Sequence, residues 1–287
     1  MNKFCIITNQ NKDQDLKTTL QIVEYLNEHG KMCYTASTFK DCNENYITDL
    51  SHLPDDVECA IVLGGDGTII QAANDLIGRN IPILGINLGT LGFLAEIERQ
   101  NIYQALDSLL SGDFRIENRD MLHGEIYNNQ ELCYTGEALN DIVITRSGFS
   151  RIISVEIHVN NELVSNFRGD GVIVSTPTGS TGYNLSAGGP VIKPDASAII
   201  ITPICPHTLS TRSIIVSSKD FIQVKIGRSK KTQEAEAIAT FDGRAAIQLQ
   251  TEDIVTIRQA KENTKLVKMY QNSFFDILRT KIGEGKE

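Results

Sequence analysis

The chain has 287 residues, 41% hydrophobic and 22% charged, the balance of a soluble globular protein and enough length for one large domain or two ordinary ones. A net charge of −9 disfavours nucleic acid or an anionic membrane as partner, though local basic residues or a divalent cation would still admit an anionic small molecule. There is no apolar run long enough for a transmembrane helix, no signal-peptide pattern in "MNKFCIITNQ" and no CxxC among six scattered cysteines, so a cytoplasmic protein with buried thiols is expected.

In chain order, "KFCIIT" reads as a strand, and residues 14–29 place Leu16, Leu20, Val23 and Leu26 on one helical face before Gly30. "KMCYTA" is a second strand, and "ECAIVL" a buried one that runs into the turn "GGDG". Thr68 is placed to cap a helix carrying Ile69, Ala72, Ala73 and Leu76; "IPILGIN" is a further strand, and residues 101–111 a further helix. This alternation predicts an α/β domain with a largely parallel sheet. After Gly112 helical periodicity nearly vanishes up to residue 260. "HGEIYNNQELCYTG" and "VEIHVNNELVSNF" read as hairpins around Asn-Asn pairs, and seven more strand-like runs follow. Residues 270–282 form a last amphipathic helix, expected to return to the first domain. The expected organisation is an α/β domain of residues 1–112 plus 265–287 and an all-β domain of residues 113–264.

Two stretches carry the chemistry. A glycine turn at the end of a parallel strand lies where α/β sheets bind ligands, and the helix start favours an anion. Asp66 repels phosphate there, so it is useful only as a metal ligand or as the acceptor of a proton from an attacking hydroxyl. The turn is not a P-loop, and its third glycine position is Ile70, so neither that nor a dehydrogenase fingerprint is present. The second stretch, "FRGDGVIVSTPTGSTGYNLSAGGP" at 167–190, pairs Arg168 with Asp170 and then runs a strand into a hydroxyl- and glycine-rich loop. Within it Thr176, Thr178, Ser180 and Thr181 offer hydrogen bonds and Tyr183 a stacking face. Between the two, Asn140 and Asp141 suit a sugar diol, and also suit a plain turn before a strand.

"GGDGT" at 64–68, "NLGTLGFL" at 87–94, "ALNDIVI" at 138–144, the 167–190 stretch and "PHTLSTRSIIV" at 206–216 together resemble the NAD kinase family. The resemblance implies a Rossmann-like N-terminal α/β domain, an all-β C-terminal domain and a last helix that returns to the first. It also implies phosphorylation of the adenosine ribose 2′-hydroxyl of NAD by ATP with Mg²⁺, in a homodimer or homotetramer. Asp66 then matches the proton acceptor, with Gly67 beside it at the dinucleotide. Asn140 and Asp141 match the ribose contacts; Arg151, Arg168, Asp170, Thr178, Thr181, Gly182, Tyr183, Asn184, Leu185 and Ser186 match other NAD contacts, and Arg244 is a further candidate. The chain departs from the family pattern at Gly182, where alanine is common, at Arg244, where glutamine is common, and at Gln71, where a basic residue is frequent. Lipid kinases share a similar glycine–aspartate turn, but no basic amphipathic helix is present. A silent NAD(P) sensor would lack the acceptor, and Asp66 is there.

Overall fold

A computed structural model of the chain describes every residue outside 37, 41–45, 90–91, 149–151, 209, 229–235, 270–272 and 284–287. It divides into two units, Met1–Asn118 with Thr264–Glu287, and Arg119–Asn263. The first unit opens as β1 (Lys3–Thr8), α1 (Lys17–Glu28), β2 (Met32–Ala36), the short antiparallel pair β3 (Thr38–Lys40) and β4 (Tyr46–Thr48), β5 (Cys59–Gly64), α2 (Asp66–Asp75), β6 (Ile83–Asn87), β7 (Ile97–Glu98) and α3 (Ile102–Ser111). Strands β2, β1, β5 and β6 lie side by side, all parallel, and β7 continues parallel to β6. All six residues of β5 are buried, as expected of a parallel strand covered on both faces. Phe4, Ile6, Ile61, Leu63, Leu84 and Ile86 from these strands pack with Ile22 and Leu26 of α1 and Leu106 and Leu109 of α3.

Helix α1 starts later than periodicity predicts. Asp13 is buried and its carboxylate accepts the N–H groups of Thr18 and Thr19 at 2.9 Å each and the Thr19 hydroxyl at 2.8 Å. These bonds outweigh the effect of burial and hold the Asp13 carboxyl below its ordinary range. The helix therefore begins after Leu16, and Leu16 and Leu20 face solvent, Leu20 being 60% exposed; Ile22, Leu26, Thr18 and Thr19 are the buried positions.

The second unit is built almost wholly of antiparallel strands. They are β8 (Arg115–Asn128), whose first residues belong to the first unit, β9 (Glu131–Ala138), β10 (Asp141–Arg146), β11 (Ile153–Val159), β12 (Glu162–Gly169), β13 (Gly171–Ser175), the one-turn helix α4 (Tyr183–Ser186), β14 (Ala198–Ile204), β15 (Ile214–Ser217), β16 (Ile222–Gly227), β17 (Ala237–Phe241), β18 (Arg244–Leu249) and β19 (Ile254–Lys268). One sheet runs β15-β14-β13-β10-β17-β18; the other sets β12, β11, β16 and β19 side by side, with the β8–β9 hairpin joined to β19. Alternate residues of both sheets, among them Ile142, Val172, Ile201, Val155, Val224 and Val255, meet in one core. Both expected hairpins form. The β11–β12 turn takes positive φ at Asn160 and Asn161 as expected; in the β8–β9 turn the pair is Asn129 and Gln130, one residue later than the Asn-Asn pair.

Strand β19 runs on well beyond "DIVTIRQ", through the polar segment that follows. Its end returns to the first unit, where Leu266 lies parallel to Ile83 of β6. The last helix, α5 (Phe274–Ile282), belongs to the same unit, with Ser273 and Asp276 closing a capping box at its start. Phe274 packs against Phe93 at 6.0 Å between ring centres, and Ile277 is buried.

Candidate active site

In the first unit, β5 ends at Gly64 and the chain turns through Gly65 into α2, whose first residue is Asp66. The turn sits at the carboxyl end of the parallel strands, where a helix start leaves its first N–H groups without intrahelical partners. The Asp66 carboxylate clips this turn to the segment after β6. Its Oδ2 accepts the N–H of Phe93 at 2.8 Å, and its Oδ1 those of Leu94 and Ala95 at 3.0 and 3.2 Å. A Cβ on Gly92 would overlap that carboxylate, so glycine at 92 lets the clip close. The Thr68 hydroxyl accepts from Asn9 Nδ2 at 3.3 Å, and Gln71 Nε2 donates to Thr48 Oγ1 at 3.2 Å. The turn opens on a cavity of about 380 Å³, with Asn9, Lys12, Gly65, Asp66, Gly67 and Gln71 in its wall.

In the second unit, Asn140 and Asp141 enter β10 through a turn held by Asp242, which follows β17. The Asp242 carboxylate accepts three successive N–H groups: Leu139 at 2.7 Å, Asn140 at 2.7 Å and Asp141 at 3.0 Å. The Asp242 N–H in turn donates to the Asp141 carbonyl at 2.9 Å. Asp141 is 6% exposed. Burial, and then the Asp242 carboxylate, push its carboxyl up to about 7. Asn140 Oδ1 is buried and accepts no hydrogen bond from the described residues.

The loop after β13 folds over this turn. Thr176 donates its hydroxyl to Leu139 O at 2.6 Å, its N–H to Asn140 O at 2.9 Å, and accepts the N–H of Gly179 at 3.1 Å. A side chain at 179 would overlap the Asn140 carbonyl. The Cβ position of Gly182 lies 3.5 Å from Asn140 Nδ2 and 4.0 Å from Asp141 Oδ2, so Asn140, Asp141 and Gly182 are brought together. Thr178 accepts from Arg119 Nη1 at 3.3 Å, and the Thr181 hydroxyl donates to Thr178 O at 3.3 Å. Tyr183 and Ser186 face outward, and Leu185 is half-buried. Asn184 is fully buried: it donates to Ser180 O and Pro190 O at 3.0 Å each and accepts from Thr202 Oγ1 at 2.6 Å, which holds the loop closed on itself.

Arg168 does not pair with Asp170. Asp170 lies past the end of β12, between it and β13, and accepts from Arg146 Nε at 2.7 Å, while Arg168 is exposed near the end of β12. Arg244 is the first residue of β18. Arg151 lies outside the described residues. Asp66 and Gly67 thus belong to the first unit, and the other described candidates to the second.

Sequence reasoning passes over Asp242, Arg119, Gly92 and Lys12. Asp242 sits in the "FDG" turn and has a legible signal, since a carboxylate beside a glycine turn seeks backbone N–H groups. The partners of Arg119 and Gly92 are distant in sequence and leave no local signal.

Among the described residues no helix is long and apolar enough to cross a membrane, and no group of three or more His, Cys, Asp or Glu side chains is placed to hold a metal ion. The family model of the ATP-NAD kinase N-terminal domain matches residues 4–114, and that of the C-terminal domain residues 139–269. The NAD kinase of Lachnoclostridium phytofermentans is 55% identical over 286 residues, spanning 99% of this chain and 100% of its own length. That of Lachnospira eligens is 41% identical over 98% of this chain and 100% of its own. Among solved structures, yeast NADH kinase complexed with NADH superposes with a TM-score of 0.84 at 21% identity, over 100% of this chain and 89% of that one. An NAD kinase from Archaeoglobus fulgidus in complex with ATP gives 0.75 at 24% identity, over 98% of each. These two likenesses speak for the fold; the full-length sequence matches and the two domain models in their order go further, and the chain belongs to the NAD kinase family.

Proposed function

We propose that the chain transfers the γ-phosphate of ATP to the 2′-hydroxyl of the adenosine ribose of NAD, giving NADP and ADP, with Asp66 as the proton acceptor. The observation that carries the ribose assignment is the buried Asn140 Oδ1 with no partner among the described residues, beside the Asp141 carboxylate. A ribose diol donates to both. Gly67, Arg168, Asp170, Thr178, Thr181 to Ser186 and Arg244 are assigned to the dinucleotide by the family resemblance. Asp66 Oδ2 accepts one backbone N–H and so keeps acceptor capacity for a hydroxyl proton.

Magnesium fits as an ion carried on the triphosphate. It keeps several waters and binds through phosphates with one or two carboxylates, so the lack of a protein cage among the described residues suits it, and Asp66 is the carboxylate nearest to hand in the cavity wall. When bound, it neutralises charge on the transferring phosphoryl group. Chain organisation and family together support a cytoplasmic homodimer or homotetramer; β12, at the edge of its sheet with Leu163 and Val164 exposed, offers a route to assembly.

The test is purified protein with NAD, ATP and Mg²⁺, followed by enzymatic detection of NADP, with Asp66→Asn alongside. The wild type forms NADP, and the variant loses about 10²–10⁴-fold in kcat, the range of general-base catalysis. A lipid kinase or a sensor forms no NADP, and near-normal turnover by Asp66→Asn removes Asp66 as the acceptor.

A further inference from the structure

We propose that Lys12 binds the phosphate chain of the nucleoside triphosphate donor in the cavity at the glycine turn. The inference rests on the kinase reading above and names a residue of the donor site within it.

Lys12 follows β1 in a turn fixed on both sides. The N–H groups of Lys12 and Asp13 both donate to the Asn9 carbonyl, at 2.9 and 3.1 Å, and the Asn9 N–H donates to Leu63 O of β5 at 2.9 Å. On the other side the buried Asp13 carboxylate ties the chain to the start of α1. The backbone of Lys12 is therefore anchored beside the end of β5, and its side chain reaches across the glycine turn. Its Nζ lies 3.0 Å from where a Cβ on Gly65 would stand and 3.6 Å from the same point on Gly89. The ammonium lies close to space that two glycines leave open, and one of them, Gly65, is in the cavity wall.

Among the described residues the Lys12 ammonium makes no hydrogen bond and no ion pair, and it is the one cation in the cavity wall. Gln71, in the same wall, carries no charge and donates to Thr48. Among the described residues Asp66 is the one carboxylate there, so without Lys12 they would set net negative charge against a polyanion. A second polar group lies close by, outside the cavity wall. Asn87 is 2% exposed, its Oδ1 accepts the N–H of Gly89 at 2.8 Å, and its Nδ2 has no partner among the described residues. Its Oδ1 lies 3.9 Å from the Gly89 Cβ point that Lys12 Nζ also approaches. A free ammonium and the N–H groups at the start of α2 are both donors in this wall, and a chain of phosphate oxygens accepts from both.

Two phosphate groups are chemically eligible, the donor's triphosphate and the pyrophosphate of the dinucleotide acceptor. The cavity at the helix start, within reach of Asp66, favours the donor. Steady-state kinetics of wild type, Lys12→Met and Lys12→Arg separate them. Lys12→Met is expected to raise the KM for ATP about tenfold or more, the loss of one charge-assisted contact, with the KM for NAD within about twofold. Lys12→Arg, which keeps the charge, is expected to hold the KM for ATP within about threefold of wild type. An unchanged KM for ATP in Lys12→Met, or a rise in the KM for NAD instead, overturns the inference. Calorimetric titration of inorganic tripolyphosphate into wild type and Lys12→Met supplies a readout independent of turnover. Weaker binding by the variant supports the phosphate site even if no NADP is formed, in which case the kinase reading alone falls; equal binding overturns the site. Lys12 is exposed, so matching thermal melts are expected for all three proteins.

Discussion

At the scale of a single residue, Asp141 is a carboxyl held between two needs. Its backbone must follow the turn that Asp242 clamps, and that places a second carboxylate beside its own. Burial and this neighbour push the Asp141 carboxyl up to about 7, well above the value near 3.9 that an unfolded chain gives it. The sign follows from linkage. Below about pH 4 both states hold the proton, and Asp141 has no effect on the balance. As pH rises, the unfolded chain releases that proton first, so stability falls until the folded carboxyl also ionises near 7 and is level beyond. Asparagine has nearly the same shape and does not titrate. Asp141→Asn should therefore match wild type in thermal melts near pH 4 and become progressively more stable than it up to about pH 8, by on the order of 2–4 kcal/mol. A difference between the two proteins that stays flat with pH would show that Asp141 is not strained in this way.

At the scale of an element, the glycine turn is held by a contact between two loops. A carboxylate that accepts three backbone N–H groups fixes the start of α2 against the segment from Phe93 to Ala95, and Gly92 is the position where that packing leaves no room for a side chain. Gly92→Ala should displace the Asp66 carboxylate and cut kcat by about tenfold or more, the usual result of misplacing a reacting group by an ångström. Gly67→Ala is the folding control: a Cβ there meets nothing within 4 Å, and alanine leaves the unfolded chain less conformational freedom than glycine, so its melting temperature should equal or exceed that of wild type. Full activity in Gly92→Ala would mean that the clip is dispensable. The element types along the first unit were legible because the parallel strands are continuous apolar runs and α3 has clean periodicity. Leu16 and Leu20 were misread because Asp13 starts the helix from a side-chain clamp that periodicity does not register. The polar end of β19 was missed for a different reason: part of that strand is exposed, and exposed strand residues carry no burial pattern. Asp66 and the Asn140–Asp141 pair stood out because their chemistry is concentrated in short motifs. The clips that position them, Gly92 and Asp242, could not be paired with their targets, since 26 residues separate Asp66 from Gly92 and 101 separate Asp141 from Asp242.

At the scale of the whole molecule, the chain leaves its first unit at Asn118 and re-enters it at Thr264, so that unit is completed by the last residues of the sequence. A buried ion pair ties the returning segment to the first unit. Lys268 Nζ donates to Glu96 Oε2 at 2.9 Å, the Glu96 Oε1 accepts the N–H of Met269 at 2.7 Å, and both side chains are about 95% shielded from solvent, at 6% and 5% exposure. An intact pair of this kind is worth little against a well-packed apolar pair, because desolvation of the two charges offsets their attraction. Breaking it is another matter, since among the described residues the carboxylate then remains buried with only a backbone N–H as partner. Lys268→Met should destabilise the protein by about 3–5 kcal/mol, read as a lowered midpoint in urea unfolding. Adding Glu96→Gln removes the stranded charge while its amide oxygen still accepts from Met269, so the double variant should recover most of the loss. The two changes are in contact, and their departure from additivity measures the pair directly. If the double variant is as unstable as Lys268→Met alone, the loss comes from packing of the lysine stem and not from the charge. In that case the end of β19 is fastened to the first unit by the Leu266–Ile83 pairing and α5, and the ion pair serves only to fix which residues meet.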